Sequence, residues 1–450
     1  MGKLILRTTF RAMFLRKSIL LFLLLMMAGL VYAQQTTYTL PQCIDISLKN
    51  NLSVNKSDLQ MQIAQIGLQQ SRENLLPNLS GNISHTINNG RSVDPTSYTY
   101  VNQQITTANY GLNGGLTLFN GLALQNSIKQ ASLAYQAGKM DFQQVKELVT
   151  INVITAYLQV LNSEDQLVQA NNQLIVSQKQ VERLDILDKE GAAKPSDVYD
   201  IKGRLATDQL SLINAKNNLN QAKLALLQIM NVPFDKNVTF ERFNAADIQA
   251  YTATSDAIYT VALHDIAIVK AATLRRESAE KGVKAAKGSL LPSLALSGGL
   301  NTNYSSGSEP MSYTNQLKNN YTNFLSLGLR VPILGAFQSR NRIALAKINL
   351  RDAEYTEQST QIQLKQNIEQ AYLNMTAAYD RYQILLEQIK AFTGSFNAAE
   401  AKFNAGVLNS VDFVLAKNNL DQSNSALISA RYDYLIRIKI LDYYQGKLSI

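Results

Sequence analysis

Two hydrophobic periodicities alternate along the chain, and each predicts one kind of secondary structure. Between residues 121 and 189 apolar side chains recur at alternating spacings of four and three, which predicts a very long helix with a coiled-coil-like seam. Between residues 78 and 118 apolar and polar side chains alternate one by one, which predicts two strands joined by a loop. Further helices are predicted over residues 44–75 and, after a short Gly-containing break, over residues 197–230.

The same order of elements occurs twice, at an offset of about 215 residues. The coinciding landmarks are Leu76-Pro77-Asn78-Leu79 with Leu291-Pro292-Ser293-Leu294, Ala156-Tyr157-Leu158 with Ala371-Tyr372-Leu373, Gly191 with Gly406, and Asp197 with Asp412. Helical periodicity alone does not hold a proline, a Gly-to-Asp spacing and an Ala-Tyr-Leu triplet at one offset. We therefore infer a duplication.

The duplication divides the mature chain into two predicted repeats joined by a linker at 236–256. The first repeat is 34–235, with strands at about 78–118, a long helix at about 121–189 and a first tip at about 190–197. The second repeat is 257–450, with strands at about 293–333, a long helix at about 336–404 and a second tip at about 405–412. A helix of about 69 residues is about 100 Å long, and the two shorter helices together have about 68 residues, so they can stack end to end beside it in an elongated molecule.

All four predicted strands are apolar on one face and small and polar on the other. The apolar positions are Leu79, Ile83, Ile87, Ala108, Tyr110, Leu112, Leu116, Leu118, Leu294, Leu296, Leu300, Leu325, Leu327, Leu329 and Val331. This pattern fits a membrane-barrel wall around a wet lumen, although a half-buried sheet on a soluble core gives the same alternation. Four strands are too few to close a barrel and open edges are not tolerated in lipid, so a barrel requires several subunits. The predicted fold class is mainly α with a β-barrel portion.

The loops at 88–103 and 302–320 are longer than the joins between strands and helices, which fits an outer-membrane orientation with the loops outside. Tyrosines cluster near the bases of these loops and form either an interfacial aromatic belt or ordinary loop packing. They are Tyr98, Tyr100, Tyr304, Tyr313 and Tyr321.

Residues 1–33 are predicted to be a secretory signal peptide, with basic residues before a short apolar core that ends at Val31-Tyr32-Ala33. The core of about 13 residues is shorter than the roughly 20 that a spanning helix needs, which disfavours the alternative of a retained anchor. The segment holds five of the 43 basic residues and none of the 34 acidic ones, so the net charge falls from +9 to about +4. A nucleic-acid partner therefore loses its main support.

Cys43 is the single cysteine, so no disulfide forms within the chain. The residue is either a buried small side chain or, less well matched, the lipidated cysteine of a lipoprotein. Gln42 and the distance from the apolar core argue against lipidation.

The ordered set of motifs resembles the TolC family of outer-membrane efflux and type I secretion ducts over essentially the whole mature length. The motifs are Leu75-Leu76-Pro77, Leu290-Leu291-Pro292, Leu118-Phe119-Asn120-Gly121 and Ala430-Arg431-Tyr432-Asp433-Tyr434-Leu435. The resemblance implies a homotrimer with a shared twelve-stranded barrel in outer-membrane lipid and a helical tunnel across the periplasm of a Gram-negative cell. It also implies two partners, a periplasmic adaptor protein and an inner-membrane pump.

The resemblance further implies that the two tips contact the adaptor and gate the tunnel. The implied residues are Gly191, Asp197, Asp200, Gly406 and Asp412. Where relatives carry a further acid in the second copy, this chain has Leu415. A structural interpretation also fits, because Ser196 and Ser410 suit helix caps, the acids suit a first turn and the glycines suit helix ends.

Enzymatic activity has no support in the sequence. The mature chain has two histidines, His85 and His264, far apart, and no phosphate loop, nucleophile elbow, paired-carboxylate motif or metal-ligand cluster. Cofactors and catalytic residues are therefore not expected. With no nucleotide site or buried charge relay evident either, transport is expected to be passive. The remaining alternative is an exported soluble coiled-coil scaffold or adhesin without a pore.

Overall fold

The computed structural model describes residues 37–93, 98–102, 104–242, 248–307, 311–335 and 337–447. The predicted signal peptide lies outside the described residues. Helices account for about 70% of what the structure describes, as the predicted mainly α class requires. The first half contains β1 Thr37–Tyr38, α1 Leu40–Asn50, α2 Leu52–Glu73, β2 Asn78–Asn88, β3 Arg91–Val93, β4 Tyr100–Asn102, β5 Ile105–Asn120, α3 Ala123–Lys189 and α4 Pro195–Ile229. After it come β6 Thr239–Phe240, α5 Ser255–Asp265, α6 Ala267–Gly288, β7 Ser293–Ser305, α7 Tyr313–Asn319, β8 Thr322–Arg330, α8 Gln338–Asn404 and α9 Ser410–Tyr444.

The long helices α3 and α8 each contain 67 residues, and the helices that return from their ends, α4 and α9, each contain 35. The short helices of the first half accompany opposite halves of α3. Near its start, Gly138 of α3 lies against Met61 and Ala64 of α2. Near its end, Leu184 of α3 packs with Val198 of α4. The end-to-end stacking that the helix lengths predict is therefore present.

The prediction of one helix over residues 44–75 is wrong, because the chain breaks at Asn51 into α1 and α2. Asn51 has extended backbone with ψ of 123°, and its side chain accepts a hydrogen bond of 2.9 Å from the Ser53 amide. An asparagine that caps the following helix in this way competes with continuous helix. In the second half Ile266 breaks the chain between α5 and α6 with the same extended backbone.

The four long strands form one antiparallel sheet in the order β2-β5-β7-β8. Directly opposite residues share a face, and the register places Leu79, Ile83 and Ile87 on the face that holds Leu112, Leu300 and Leu327. The predicted separation of apolar and polar faces is therefore confirmed over most of the sheet. His85, paired with Ala108, belongs to the apolar face.

One predicted position in the sheet is wrong. A bulge between Thr117 and Phe119 shifts the register, so Phe119 stands opposite Leu294 and Leu118 has no partner residue. Strict alternation had assigned Leu118 to the apolar face, but a bulge inserts one residue and reverses the alternation after it.

The predicted loops contain structure of their own. In the first loop β3 pairs with β4. In the second, β7 runs on to Ser305, and the short helix α7 packs back on it. The rings of Tyr304 and Tyr313 lie 4.6 Å apart, and the hydroxyl of Tyr313 contacts that of Tyr110. These tyrosines thus take part in loop packing, and Tyr100 packs against the Arg91 guanidinium at 5.0 Å. Tyr98 and Tyr321 are exposed.

A buried core surrounds the middle of α3, where Tyr157 donates a hydrogen bond of 2.6 Å to the Glu241 carbonyl and meets Phe240 edge-on. Cys43 belongs to this core and is fully buried, as the interpretation of a small packed side chain requires. Burial raises the pKa of the Cys43 thiol to about 12, so the group stays protonated and unreactive at neutral pH.

Candidate functional site at the helical tips

The first tip has the glycine-ended turn that its sequence predicts. Gly191 has a φ of +68°, a left-handed conformation that glycine adopts without strain. The Gly191 amide donates to the Asp188 carbonyl at 2.9 Å, and the Ala192 amide donates to Leu187 at 2.7 Å, closing the end of α3. The prediction that Ser196 caps the following helix is wrong, however. Lys194 occupies the cap position without a side-chain bond, and Pro195 is the first helical residue.

The second tip follows the same path. Gly406 has a φ of +72° and donates to the Phe403 carbonyl at 3.1 Å. The cap of α9 is Asn409, which accepts from the Asp412 amide at 2.8 Å and donates to the Asp412 carboxylate at 3.0 Å. Ser410 was predicted as the cap, but asparagine caps at least as well as serine. Asp197 and Asp412 both lie in a first helical turn, where the helix dipole favours an acid.

Asp200 connects the two tips. Its carboxylate accepts a hydrogen bond of 2.8 Å from the hydroxyl of Ser410, a buried residue. Leu415, which stands in the second repeat where Asp200 stands in the first, is 57% exposed. The structure therefore brings Asp200 to the second tip and leaves its counterpart on the outside of the subunit.

An apolar core joins the ends of all four tip helices. Its buried members are Leu184 of α3, Val198 and Ile201 of α4, Phe403 of α8 and Phe413 of α9. The rings of Phe403 and Phe413 stack with their centres 4.5 Å apart and their planes at 12°. Separation of the two tips of one subunit would expose this core to water.

Above this core lies a buried cluster of charges, here called the charge cluster, which consists of Arg204 and Asp208 of α4 and Lys417 and Asp421 of α9. The Lys417 ammonium lies 3.0 Å from the Asp208 carboxylate and 2.7 Å from the Asp421 carboxylate. Arg204 lies 2.8 Å from Asp208 and 2.9 Å from Asp421. The side chains of Lys417 and Asp208 are 2% and 1% exposed, so the pair is fully removed from water.

Two neighbouring groups add hydrogen bonds to the charge cluster, whereas Nε of Arg204 and Oδ1 of Asp208 are buried without a hydrogen bond of their own. Ser177 of α3 donates to Asp208 at 2.5 Å, and Arg204 donates to the Asn418 side chain. Two cations and two anions balance each other, as buried charges require. Burial raises the pKa of the Asp421 carboxyl, against the opposing attraction of Lys417 and Arg204.

Nothing in the sequence pattern had pointed to the charge cluster. Arg204 with Asp208 and Lys417 with Asp421 each lie four residues apart, which is the spacing of a surface ion pair on a helix. The available signal was the divergence of the repeats. An offset of 215 places Asn419, Ser423, Lys202 and Ala206 where the charge cluster has its four charges.

No group of His, Cys, Asp and Glu within the described residues could hold a metal ion. Over the same residues, no single helix is long and apolar enough to cross a membrane, although α5 and α6 pass that test together as a pair bent by 48°.

Each repeat contributes a long helical hairpin and two of the four strands of an antiparallel sheet that is apolar on one face and polar on the other. This duplicated architecture defines the class of outer-membrane channel subunits. The model of the outer membrane efflux protein family matches residues 43–232 and 259–446, once in each repeat. The chain belongs to the outer membrane efflux protein family, a family of efflux channels and not of enzymes, and resides in the outer membrane of a Gram-negative cell.

Known relatives resemble the chain over most of its length. Outer membrane protein TolC of Vibrio cholerae is 24% identical over 66% of this chain and 68% of the relative. Outer membrane protein TolC of Escherichia coli is 23% identical over 86% of this chain and 78% of the relative. The CmeC outer membrane channel of Campylobacter jejuni is 19% identical in sequence. Its crystal structure matches with a TM-score of 0.78 over 91% of this chain and 86% of that one.

Proposed function

We propose that the chain is one subunit of a homotrimeric outer-membrane duct of a tripartite efflux or type I secretion system. In this proposal it conducts substrates passively from a periplasmic adaptor and an inner-membrane pump to the exterior. The observation that carries the proposal is a pair of unpartnered surfaces on each subunit. Inside one subunit the first repeat contacts the second. If the second repeat contacts the first repeat of the next subunit in the same way, these two kinds of uncovered surface fit each other.

The sheet supplies the first such surface. Within the described residues β2 and β8 are its edges, and each has one side without a partner strand. Inside the subunit β5 pairs with β7, so that Leu112 stands opposite Leu300. In the other repeat, the position equivalent to Leu112 is Leu327 of β8 and the position equivalent to Leu300 is His85 of β2. The same pairing between subunits therefore places Leu327 opposite the partner subunit's His85. Three subunits joined in this way close twelve strands, which leaves no edge in lipid.

The helices supply the second surface. Inside the subunit α3 meets α6, where the Ser278 hydroxyl donates to the Gln130 carbonyl at 2.9 Å. In the other repeat, the position equivalent to Gln130 is Leu345 of α8 and the position equivalent to Ser278 is Ile63 of α2. The same contact between subunits therefore places Leu345 against the partner subunit's Ile63. Ile63 is 62% exposed and Leu345 59% exposed in the single subunit, so both apolar side chains lack cover. A closed ring of six repeats buries them.

A cysteine pair at these positions tests the trimer. In a Cys43→Ser background, Ile63→Cys with Leu345→Cys is expected to cross-link subunits in the outer membrane into dimers and trimers on a denaturing gel. The matched control, Ser278→Cys with Gln130→Cys, is expected to cross-link within one chain and to run as a monomer. Recovery of the mature chain as a soluble periplasmic protein, with no link between subunits, would favour the pore-free scaffold or adhesin.

The tips are the proposed place of adaptor contact and gating, through Gly191, Asp197, Asp200, Gly406 and Asp412. The glycine turns are exposed at the end of the helical hairpins, and a Cβ at Gly191 or Gly406 would meet no atom within 4 Å. This open space is consistent with a docking surface. Apart from Arg330 at the end of β8, the polar side chains on the polar face of the sheet are neutral Asn, Ser and Thr, which would select little among substrates. Specificity is therefore proposed to lie with the pump.

A further inference from the structure

A single charged residue lies in the wall of the four-stranded sheet. Along the four long strands, all of which the structure describes, Arg330 is the only Lys, Arg, Asp or Glu. It is the last residue of β8, at the base of the sheet, which is the end next to the long helices. The other polar side chains there are uncharged amides and hydroxyls, apart from His85 on the apolar face. The charge of the sheet is therefore concentrated at one level.

The register assigns Arg330 to the polar face. Arg330 stands opposite Ser293 of β7, whereas Leu329, the residue before it, stands opposite Leu294. Adjacent residues of a strand point to opposite faces, so Leu329 belongs with the apolar side chains and Arg330 with the polar ones. In a membrane barrel the apolar face contacts lipid and the polar face lines the water-filled lumen. The guanidinium of Arg330 thus belongs to the lumen of the proposed barrel.

The neighbours of Arg330 within the subunit are neutral. Ser293 lies beside it on β7, and Asn120 of β5 lies beyond Ser293. The acid nearest in sequence to the base of the sheet is Glu73, the last residue of α2, which accepts a hydrogen bond of 2.7 Å from Gln69 of its own helix. The positive charge on this face of the sheet therefore has no carboxylate beside it on the strands.

The trimer would repeat this charge three times. The position equivalent to Arg330 in the first repeat is Gly115, which pairs with Ser297 inside the subunit. The same pairing between subunits places Arg330 opposite the partner subunit's Asn82, another neutral side chain. Because the first repeat contributes glycine at this level, the barrel would carry three arginines there, here called the arginine ring.

A ring of like charges in a barrel wall acts on every ion that passes it. Low-dielectric walls focus the field of fixed charges into the water between them. Rings of Arg or Lys are the device by which anion-conducting pores discriminate by charge. A guanidinium stays protonated throughout the physiological pH range, so this field would not vary with pH.

We propose that Arg330 is a specificity-determining residue, and that the arginine ring at the base of the barrel favours the passage of anions and disfavours that of cations. The favoured substrates are those that carry a carboxylate, sulfonate or phosphate group. The inference rests on the proposed function, because the ring exists only in a trimer whose polar face lines the lumen. The pump still selects the cargo, and Arg330 discriminates by charge alone.

A reporter cysteine measures the field of the arginine ring. In full-length trimers with Cys43→Ser, Ser293→Cys places a thiol opposite Arg330, and Ser297→Cys on the same strand and face is the matched control. Intact outer membranes are treated from outside with methanethiosulfonate reagents of one positive or one negative charge, which reach the barrel without passing the helical tips. Both reagents attack the thiolate, so the ratio of the anionic to the cationic rate reports the local potential alone.

Removal of the charge is expected to change this ratio only near the ring. At about 0.15 M salt, Arg330→Gln is expected to lower the ratio at Ser293→Cys by at least about threefold, while Arg330→Lys preserves it. Ser297→Cys lies about 13 Å further along the strand, beyond the Debye length of about 8 Å, so its ratio is expected to stay nearly unchanged. At about 1 M salt the effect at Ser293→Cys is expected to disappear.

The outcome distinguishes this inference from the function on which it rests. If both cysteines react but Arg330→Gln leaves the ratio at Ser293→Cys unchanged, or changes it equally at Ser297→Cys, the arginine ring is refuted and the duct survives. Loss of the ratio in Arg330→Lys as well would show that the arginine acts through its shape, which also overturns the inference. If neither cysteine reacts in folded trimers, the polar face does not line an open lumen and the duct itself is refuted.

Discussion

At the scale of single residues, the two repeats give the same position different physical roles. Lys417 and Lys202 coincide under the repeat offset. Lys417 is 2% exposed and touches two carboxylates, whereas Lys202 is 48% exposed and touches one. Removal of one partner from a buried ion pair leaves an uncompensated charge out of water, while loss of an exposed pair has little effect.

Lys417→Met is therefore expected to destabilise the subunit by about 3–5 kcal/mol, because Asp208 and Asp421 then share only Arg204 and one buried negative charge is left uncompensated. The temperature at which heated trimers dissociate on a denaturing gel measures this change. Lys202→Met is the matched control and is expected to leave that temperature nearly unchanged. Equal effects of the two substitutions would contradict the difference in burial.

Asp421 makes the stability of the tips depend on pH. Burial raises the pKa of its carboxyl, so the folded state holds this proton more tightly than the unfolded chain. The resulting stabilisation is fully present below the ordinary carboxyl pKa, near 4, and is lost as pH rises through the raised pKa. Asp421→Asn removes this titration.

The dissociation temperature of wild type relative to Asp421→Asn is therefore expected to fall as pH rises from about 4 to about 7. Trimers heated across a series of buffers at constant ionic strength provide the measurement. A difference that stays constant, or grows with pH, would show that Asp421 is not the titrating group.

Residue-level prediction from the sequence worked where the reason was local. Gly191 and Gly406 adopt the left-handed turns expected of them, because that preference depends only on the missing Cβ. The cap positions moved one or two residues towards the N-terminus, to Lys194 because Pro195 begins its helix and to Asn409 because its side chain caps in place of Ser410. Local patterns also gave no sign that polar faces of α4 and α9, more than 200 residues apart, would turn towards each other.

At the scale of elements, the polar face of the sheet depends on residues that lack side chains. A Cβ at Gly111 would stand 2.4 Å from the Asn82 side-chain oxygen and 2.8 Å from that of Asn301. The absence of a side chain therefore lets asparagines from the two neighbouring strands lie across β5. Alternation predicted which face is polar, but the close packing of its amides and the bulge near Phe119 depend on neighbouring strands.

Gly111→Ala is expected to destabilise the sheet by about 1–3 kcal/mol, because two amide groups must move aside. Gly81→Ala is the matched control on β2, where the nearest atom to a new Cβ is 3.9 Å away. The yield of heat-resistant trimer after refolding in detergent measures both variants. A loss for Gly81→Ala as large as that for Gly111→Ala would show that alanine itself, and not the crowding, is at fault.

At the scale of the whole molecule, the repeat determines how copies of the chain should meet. Length and periodicity in the sequence predicted long helices of about 69 residues with stacked partners, close to the 67 residues that each long helix contains. A single subunit still leaves β2, β8, α2 and α8 with uncovered edges or faces. Sequence alone could not identify these surfaces, because exposure depends on which internal contacts the first repeat makes with the second.

The internal pairing of β5 with β7 makes a specific prediction for the register at the seam. His85→Cys with Leu327→Cys is expected to cross-link neighbouring subunits, because these positions correspond to the observed pair of Leu112 and Leu300. His85→Cys with Ser326→Cys is the matched control, since adjacent residues of a strand point to opposite faces. A slip of one residue would reverse this preference and turn the apolar side chains of one strand towards the lumen. The ratio of trimer bands from the two pairs, measured in intact outer membranes, therefore reports the register directly.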